Sequence, residues 1–163
     1  MQRFFISDTH FGHKNIIDYE NRPFRDCDHM QVELIKRWSE AVGKRDMVYF
    51  LGDLSFLSLE KTAHIVAMLN GRKLMVIGNH DAKSPEAYRQ MGFEFVSKYP
   101  IIVDDFFICS HAPVYVNDNM PYVNIHGHLH SKKLDGQYFN VSVENIDYRP
   151  ILFDDIKRKF SPI

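Results

Sequence analysis

Short apolar runs alternate with amphipathic stretches in the first half of the chain, and apolar runs dominate the second half. Arg3-Phe4-Phe5-Ile6-Ser7 is aromatic and branched, which predicts a strand. Thr9 to Asn15, rich in Gly, His and Asn, predicts a loop, with a short helix from Ile16. Val32, Leu34, Ile35, Trp38 and Val42 recur at helical spacing, with Asp28 or His29 as the expected cap and Gly43 as the expected end. Met47 to Leu51 reads as a buried strand, Leu59 to Leu69 as an amphipathic helix closed by Asn70-Gly71, and Lys73 to Ile77 as the next strand. Pro85 suits the first turn of a short helix that runs to about Gln90. Beyond it, Phe93 to Val103, Phe106 to Ser110, Tyr122 to His126 and Gln137 to Val141 all read as strands, and Phe153 to Phe160 as a closing helix. This order predicts a layered α/β architecture, sheets inside and helices outside.

The polar residues are not spread evenly over this pattern. Asp8 and His10 follow the first strand, Gly52-Asp53 the second, and Gly78-Asn79-His80-Asp81 the third. His111 follows Phe106 to Ser110, and Gly127-His128-Leu129-His130 follows Tyr122 to His126. Five segments thus deliver metal-capable side chains at their C-terminal ends, the edge where α/β folds bind ligands. Histidine nitrogen and carboxylate oxygen without cysteine suit Mn, Fe, Zn, Co or Ni, with Mn favoured. The donors outnumber what one tetrahedral site needs, which calls for two divalent ions. Asp8 and His10, two apart, are expected to point to one side of an extended segment, and His128 and His130 to repeat the arrangement. Glycine before Asp53, Asn79 and His128 is expected to let the backbone turn and approach an ion.

These ordered motifs resemble those of the calcineurin-like metallophosphoesterases, over roughly residues 3 to 130. The resemblance implies a four-layer α/β/β/α sandwich of two mixed sheets flanked by helices, the metallo-dependent phosphatase fold. It implies one ion on Asp8, His10 and His130, a second on Asn79, His111 and His128, and Asp53 bridging them. His80 would not be a ligand. In the phosphoprotein phosphatases of that superfamily a second Asp and an Arg follow the Gly-Asp; here Phe56 takes the place of that Asp. The departure moves the chain toward the small phosphodiesterase-like members.

The expected chemistry is hydrolysis of a phosphate ester, most of all a diester. Two ions about 3.5–4 Å apart would share a hydroxide that attacks phosphorus in line with the leaving oxygen. Asn79 would contribute its amide, His80 would protonate the leaving group, and Asp81 would orient His80. The alternatives are a phosphomonoesterase, a nuclease, or a non-catalytic metal-binding scaffold of the same fold.

Bulk properties narrow this picture. A chain of 163 residues with 45% apolar content fits one domain, 1–163, with a real core. A net charge of −1 offers no global pull on nucleic acid or an anionic membrane, so a small or exposed phosphoester is the expected substrate; nucleic acid would need a local patch. The basic pairs, Arg72-Lys73 among them, are expected on solvated faces. No apolar stretch approaches the ~18 residues of a membrane helix, the N-terminus lacks signal-peptide character, and Cys27 and Cys109 form no paired motif. A cytoplasmic protein with two free thiols is expected. His29 and His64 belong to helix faces and His126 to packing. His13 either reaches the substrate phosphate or starts the helix, and Arg22 is a solvated loop residue or a phosphate grip. Phe24, Phe56, Tyr115 and Tyr122 are expected mostly in the core, with a base or sugar pocket as the alternative. The tail from Gln137 either lines the site or closes the second sheet.

Overall fold

The structure, a computed structural model, describes residues 1–160; residues 161–163 of the expected domain lie outside the described residues. Strand β1 (Arg3–Ile6) leads through the short helix α1 (Ile16–Tyr19) to the long α2 (Cys27–Ala41). Then come β2 (Met47–Phe50), α3 (Leu59–Met68), β3 (Arg72–Val76), α4 (Pro85–Gln90) and β4 (Phe93–Ser97). The second half holds β5 (Ile101–Val103), β6 (Phe107–Ser110), β7 (Val123–His126) and β8 (Tyr138–Asn140), then a 3-10 turn (Val143–Asn145), β9 (Ile151–Leu152) and α5 (Phe153–Lys159).

Two mixed sheets result, flanked by helices. One has the order β4-β3-β2-β1-β9 and the other β5-β6-β7-β8. β1 to β4 run parallel and β9 antiparallel; β6, β7 and β8 run parallel and β5 antiparallel. The sheets meet where Ser7 bridges Ser142, with Ser7 N–H donating to Val141 O at 3.0 Å and Val143 N–H to Ser7 O at 3.2 Å. Phe153 packs 5.1 Å from Phe5 of the first sheet and 4.9 Å from Phe107 of the second, ring centre to ring centre, so α5 pins both sheets at once.

Three expectations change. The run Phe93 to Val103 is not one strand: β4 stops at Ser97, and Pro100, which has no N–H to give a ladder, stands in the connection before β5 joins the other sheet. The cap of α2 is Asp26, whose carboxylate accepts His29 N–H at 2.8 Å, rather than Asp28 or His29. Lys73 is buried, not solvated, and its Nζ donates to Leu69 O at 2.8 Å and Gly71 O at 2.9 Å. Gly43 lies just past α2, whose cap residue is Val42. The tail does more than expected: β8 extends the second sheet while β9 extends the first.

Candidate metal centre

The strands that carry the motifs, β1, β2, β3, β6 and β7, are parallel within their sheets, so their C-terminal loops converge on one edge. Asp8, His10, Asp53, His128 and His130 all occupy the left-handed region, at φ 57°, 51°, 58°, 67° and 50°. The cost is about 1–2 kcal/mol for each such residue. Backbone ties between loops hold them there: Asp8 N–H donates to Gly52 O at 2.9 Å, His10 N–H to Asp53 O at 3.1 Å, and His128 N–H to Asp8 Oδ2 at 2.9 Å. The expected extended geometry of Asp8-x-His10 and His128-x-His130 is therefore replaced by curled turns. Gly52, at φ 89°, makes a tight turn as expected. Gly78 and Gly127 serve a different purpose. A Cβ on Gly78 would strike the Asp53 carboxylate, and one on Gly127 the Ser7 hydroxyl and Asp8 carboxylate. Both glycines admit a neighbouring loop rather than an ion.

The donors fall into two groups that share Asp53. In the first, His10 Nε2 stands 3.8 Å from Asp8 Oδ1, and His130 Nε2 stands 4.0 Å from the same oxygen. In the second, Asn79 Oδ1 lies 2.8 Å from both His111 Nε2 and His128 Nδ1, which are 3.2 Å apart. Asp53 Oδ2 is 3.5 Å from His10 Nε2 and 3.5 Å from His111 Nε2. Within 4.8 Å of one another lie the donor atoms of Asp8, His10 and His130, of Asp8, Asp53 and His111, and of Glu20, His130 and Glu144.

Two of the imidazole protons in this cluster are committed elsewhere. Leu51 O can only accept, so His111 donates Nδ1–H to it at 2.8 Å and turns a lone pair at Nε2 toward Asn79 Oδ1 and Asp53. The Glu144 carboxylate likewise takes Nδ1–H of His130 at 3.1 Å and leaves Nε2 bare. Asp8 Oδ1 and His10 Nε2 are buried with no hydrogen-bond partner. Lone pairs facing lone pairs in a buried cluster fit a cation, and the nitrogen and oxygen donor set fits a divalent one.

The description calcineurin-like phosphoesterase matches residues 1–162. The chain belongs to that family. Members of this metallophosphoesterase family are divalent-metal-dependent hydrolases, and the donors described here are candidate ligands. The chain is 38% identical over 162 residues to the uncharacterized protein MJ1445 of Methanocaldococcus jannaschii, spanning 93% of this chain and 86% of the relative. It is 32% identical over 160 residues to the Gene 66 protein of Mycobacterium phage L5, spanning 78% of this chain and 76% of that one. Its fold is similar to the crystal structure of a protein of unknown function, AQ665, from Aquifex aeolicus, with TM-score 0.75 and 25% identity over 96% of this chain and 98% of the other.

The electrostatics of this metallophosphoesterase suit cations. Burial alone would push the Asp8 carboxyl up, but its polar surroundings, the His10 ring and the Ser7 hydroxyl among them, outweigh it and hold Asp8 well below the usual carboxylate range. Asp53 is also held low, burial being outweighed by the His10 ring and by His80 N–H, which donates to Asp53 Oδ1 at 2.9 Å. Both acids therefore stay ionised in the core. His128 goes the other way: burial lowers it, favouring the neutral ring that metal coordination requires.

Several residues act where the sequence did not announce them. Glu144, from the 3-10 turn, holds His130 and is itself gripped by Arg22, with Nε at 2.9 Å and Nη2 at 2.7 Å. Arg22 is buried and also donates to Asp8 O at 2.7 Å and Thr9 O at 2.9 Å. It is a strut under the first loop, neither solvated nor free to grip phosphate. Glu144 Oε1 takes all of these contacts, while Oε2 is buried without a hydrogen-bond partner. Ser142 Oγ donates to Asp8 Oδ2 at 2.9 Å.

Asp81 departs from its expected partner. Its carboxylate accepts Asp53 N–H at 2.7 Å, Gly78 N–H at 2.8 Å, Leu54 N–H at 3.0 Å and Tyr88 OH at 3.2 Å. Both oxygens are thus spent on the loop backbones and not on the His80 ring. His80 is exposed, with its ring centre 5.7 Å from that of His10. His126 is packed in the interior, as expected, with Nδ1 on Gly127 O at 2.8 Å. His13 turns its Nδ1 to His10 Nδ1 at 3.2 Å. Phe24 is core, but Phe56 and Tyr115 are exposed, and Phe56 lies over His13.

Proposed function

We propose that residues 1–163 act as one domain that hydrolyses phosphodiesters with two divalent ions. Asp8, His10 and His130 would hold one ion, Asn79, His111 and His128 the other, and Asp53 both. The carrying observation is the position of Asp53 Oδ2, 3.5 Å from a ring nitrogen of each group. When bound, the ions supply Lewis acidity: they lower the pKa of water toward ~7 and offset charge on the phosphate. The protein's own groups do the rest. The buried carboxylates and oriented imidazoles fix the donors, Asn79 offers its amide at the exposed lip, and His80 stands there to give a proton to the leaving oxygen as its bond to phosphorus breaks. Phe56, in place of an acid, leaves the rim open to a substrate with two esterified oxygens.

Manganese is the favoured metal, and the cytoplasm the favoured compartment. The free thiols Cys27 and Cys109 support a reducing setting, and no helix among the described residues is long and apolar enough to cross a membrane. The test is metal analysis of the purified protein with a matched panel, a bis-aryl phosphodiester against the corresponding monoester in added Mn²⁺. Two ions per chain and faster diester turnover are expected. Faster monoester turnover would assign a phosphomonoesterase, and no turnover with both ions bound would assign a binding scaffold.

A further inference from the structure

Phe56 is a large apolar side chain left 45% exposed beside a polar metal centre. Its surroundings define which side is open. His10 and His13 face each other through their Nδ1 atoms at 3.2 Å, with ring centres 5.4 Å apart and planes within 29°. Those values describe two rings set edge to edge in nearly one plane. Phe56 lies flat across this pair, its centre 4.2 Å from that of His13 at 26° and 5.4 Å from that of His10 at 20°. One face of the phenyl ring is therefore spent on the histidines, and the exposed remainder looks outward. His80 borders the same ring at 5.3 Å, tilted by 42°. Tyr19, itself exposed, meets His13 edge-on at 6.3 Å and continues the aromatic rim.

A flat, rigid, apolar face next to a phosphate-binding centre suits a planar group joined to that phosphate. Aromatic bases stack on such faces in a sequence-tolerant way. An aliphatic diester would gain little from a ring that has no hydrogen-bonding group. We infer that Phe56 is a stacking platform for the base of a nucleotidyl phosphodiester, placing an unpaired base against the rim while its phosphate enters the metal centre. This substrate class rests on the phosphodiesterase activity proposed above.

The test compares two diesters with alkoxide leaving groups, a deoxydinucleoside monophosphate and glycerophosphoethanolamine, on the metal-loaded protein. The wild type should prefer the dinucleotide in kcat/KM. Phe56→Leu should lower that preference about tenfold or more, mainly through KM, while Phe56→Trp should retain it. A parallel measurement uses deoxyadenosine 5′-monophosphate against ribose 5-phosphate: the base protons should shift upfield in NMR on binding to the wild type and to Phe56→Trp, and not to Phe56→Leu. No preference in the wild type, or equal losses on both diesters in Phe56→Leu, overturns the platform and leaves the diesterase intact. If neither diester is turned over with both ions bound, the diesterase fails, and the binding arm decides the platform: unshifted base protons or equal affinity for the two monophosphates overturn it.

Discussion

Asp81 accepts the backbone N–H of Asp53 at 2.7 Å, so one buried carboxylate fixes where another stands. The same carboxylate serves Leu54, Gly78 and Tyr88. Asp81→Ala strips the acceptor from three backbone donors at once, and each orphaned buried group costs about 1–3 kcal/mol. A loss of roughly 3 kcal/mol or more is expected in urea unfolding, with Asp81→Asn between the two. A loss below ~1 kcal/mol would show that the loop stands without this tie.

Glu144 couples Arg22 to His130. Glu144→Ala leaves a buried guanidinium without its partner, which costs about 3–5 kcal/mol. It also frees the His130 ring, and metal affinity should fall about 10–100-fold. Glu144→Gln keeps an acceptor for Nδ1–H and should recover part of that affinity. Competition titration with a chelator reads both variants, and an unchanged affinity in Glu144→Ala would remove the orienting role.

His80 is the exposed imidazole at the rim. His80→Ala should retain the metal content of the parent while turnover drops about 10²–10⁴-fold. Metal analysis and diester kinetics on one preparation decide it. If metal is lost with turnover, His80 is a ligand.

Asp46 provides a pH test away from the metal centre. It accepts Gln2 N–H at 2.7 Å and Gly43 N–H at 2.9 Å, and these bonds hold its carboxyl below the usual 3.8. A lowered folded value stabilises the protein above the unfolded value, and that stability is lost as pH falls from about 3.8 through the folded value. In chelator, Asp46→Asn should be less stable than the parent at pH 7 by under ~1 kcal/mol, since solvent screens the site. The gap should narrow as pH falls below about 3.8. A gap that stays constant over that range would rule out the ionised carboxylate as its cause.

Much of this was legible in the chain. Strands such as Met47–Phe50 and Phe107–Ser110 are aromatic and branched, and the polar groups that end them are abrupt. Their convergence followed from parallel strands delivering loops to one edge. What was hidden has physical reasons. The split of β4 from β5 had one marker, Pro100, inside a run otherwise good for a strand. β9 is two residues long and has no period to detect. The left-handed backbone of Asp8 and His128 falls on residue types that tolerate it, but the same types are what metal binding calls for, so the conformation has no separate signal in the sequence. Arg22 and Glu144 are 122 positions apart and carry no spacing signal, so only the fold shows that they meet. Phe56 read as core because apolar residues usually are; its exposure is a property of the rim.

The seam at Ser7 and Ser142 carries a lesson for protein engineering. A designer trimming the chain to its recognisable metal-binding letters would stop near His130 and retain all of them. That fragment would lack β8, the seam, the Ser142 hydroxyl on Asp8 and the carboxylate behind His130. Motif inventory is thus a poor measure of the smallest working unit: the stretch after His130 contributes none of the proposed ligands, yet it braces two of them.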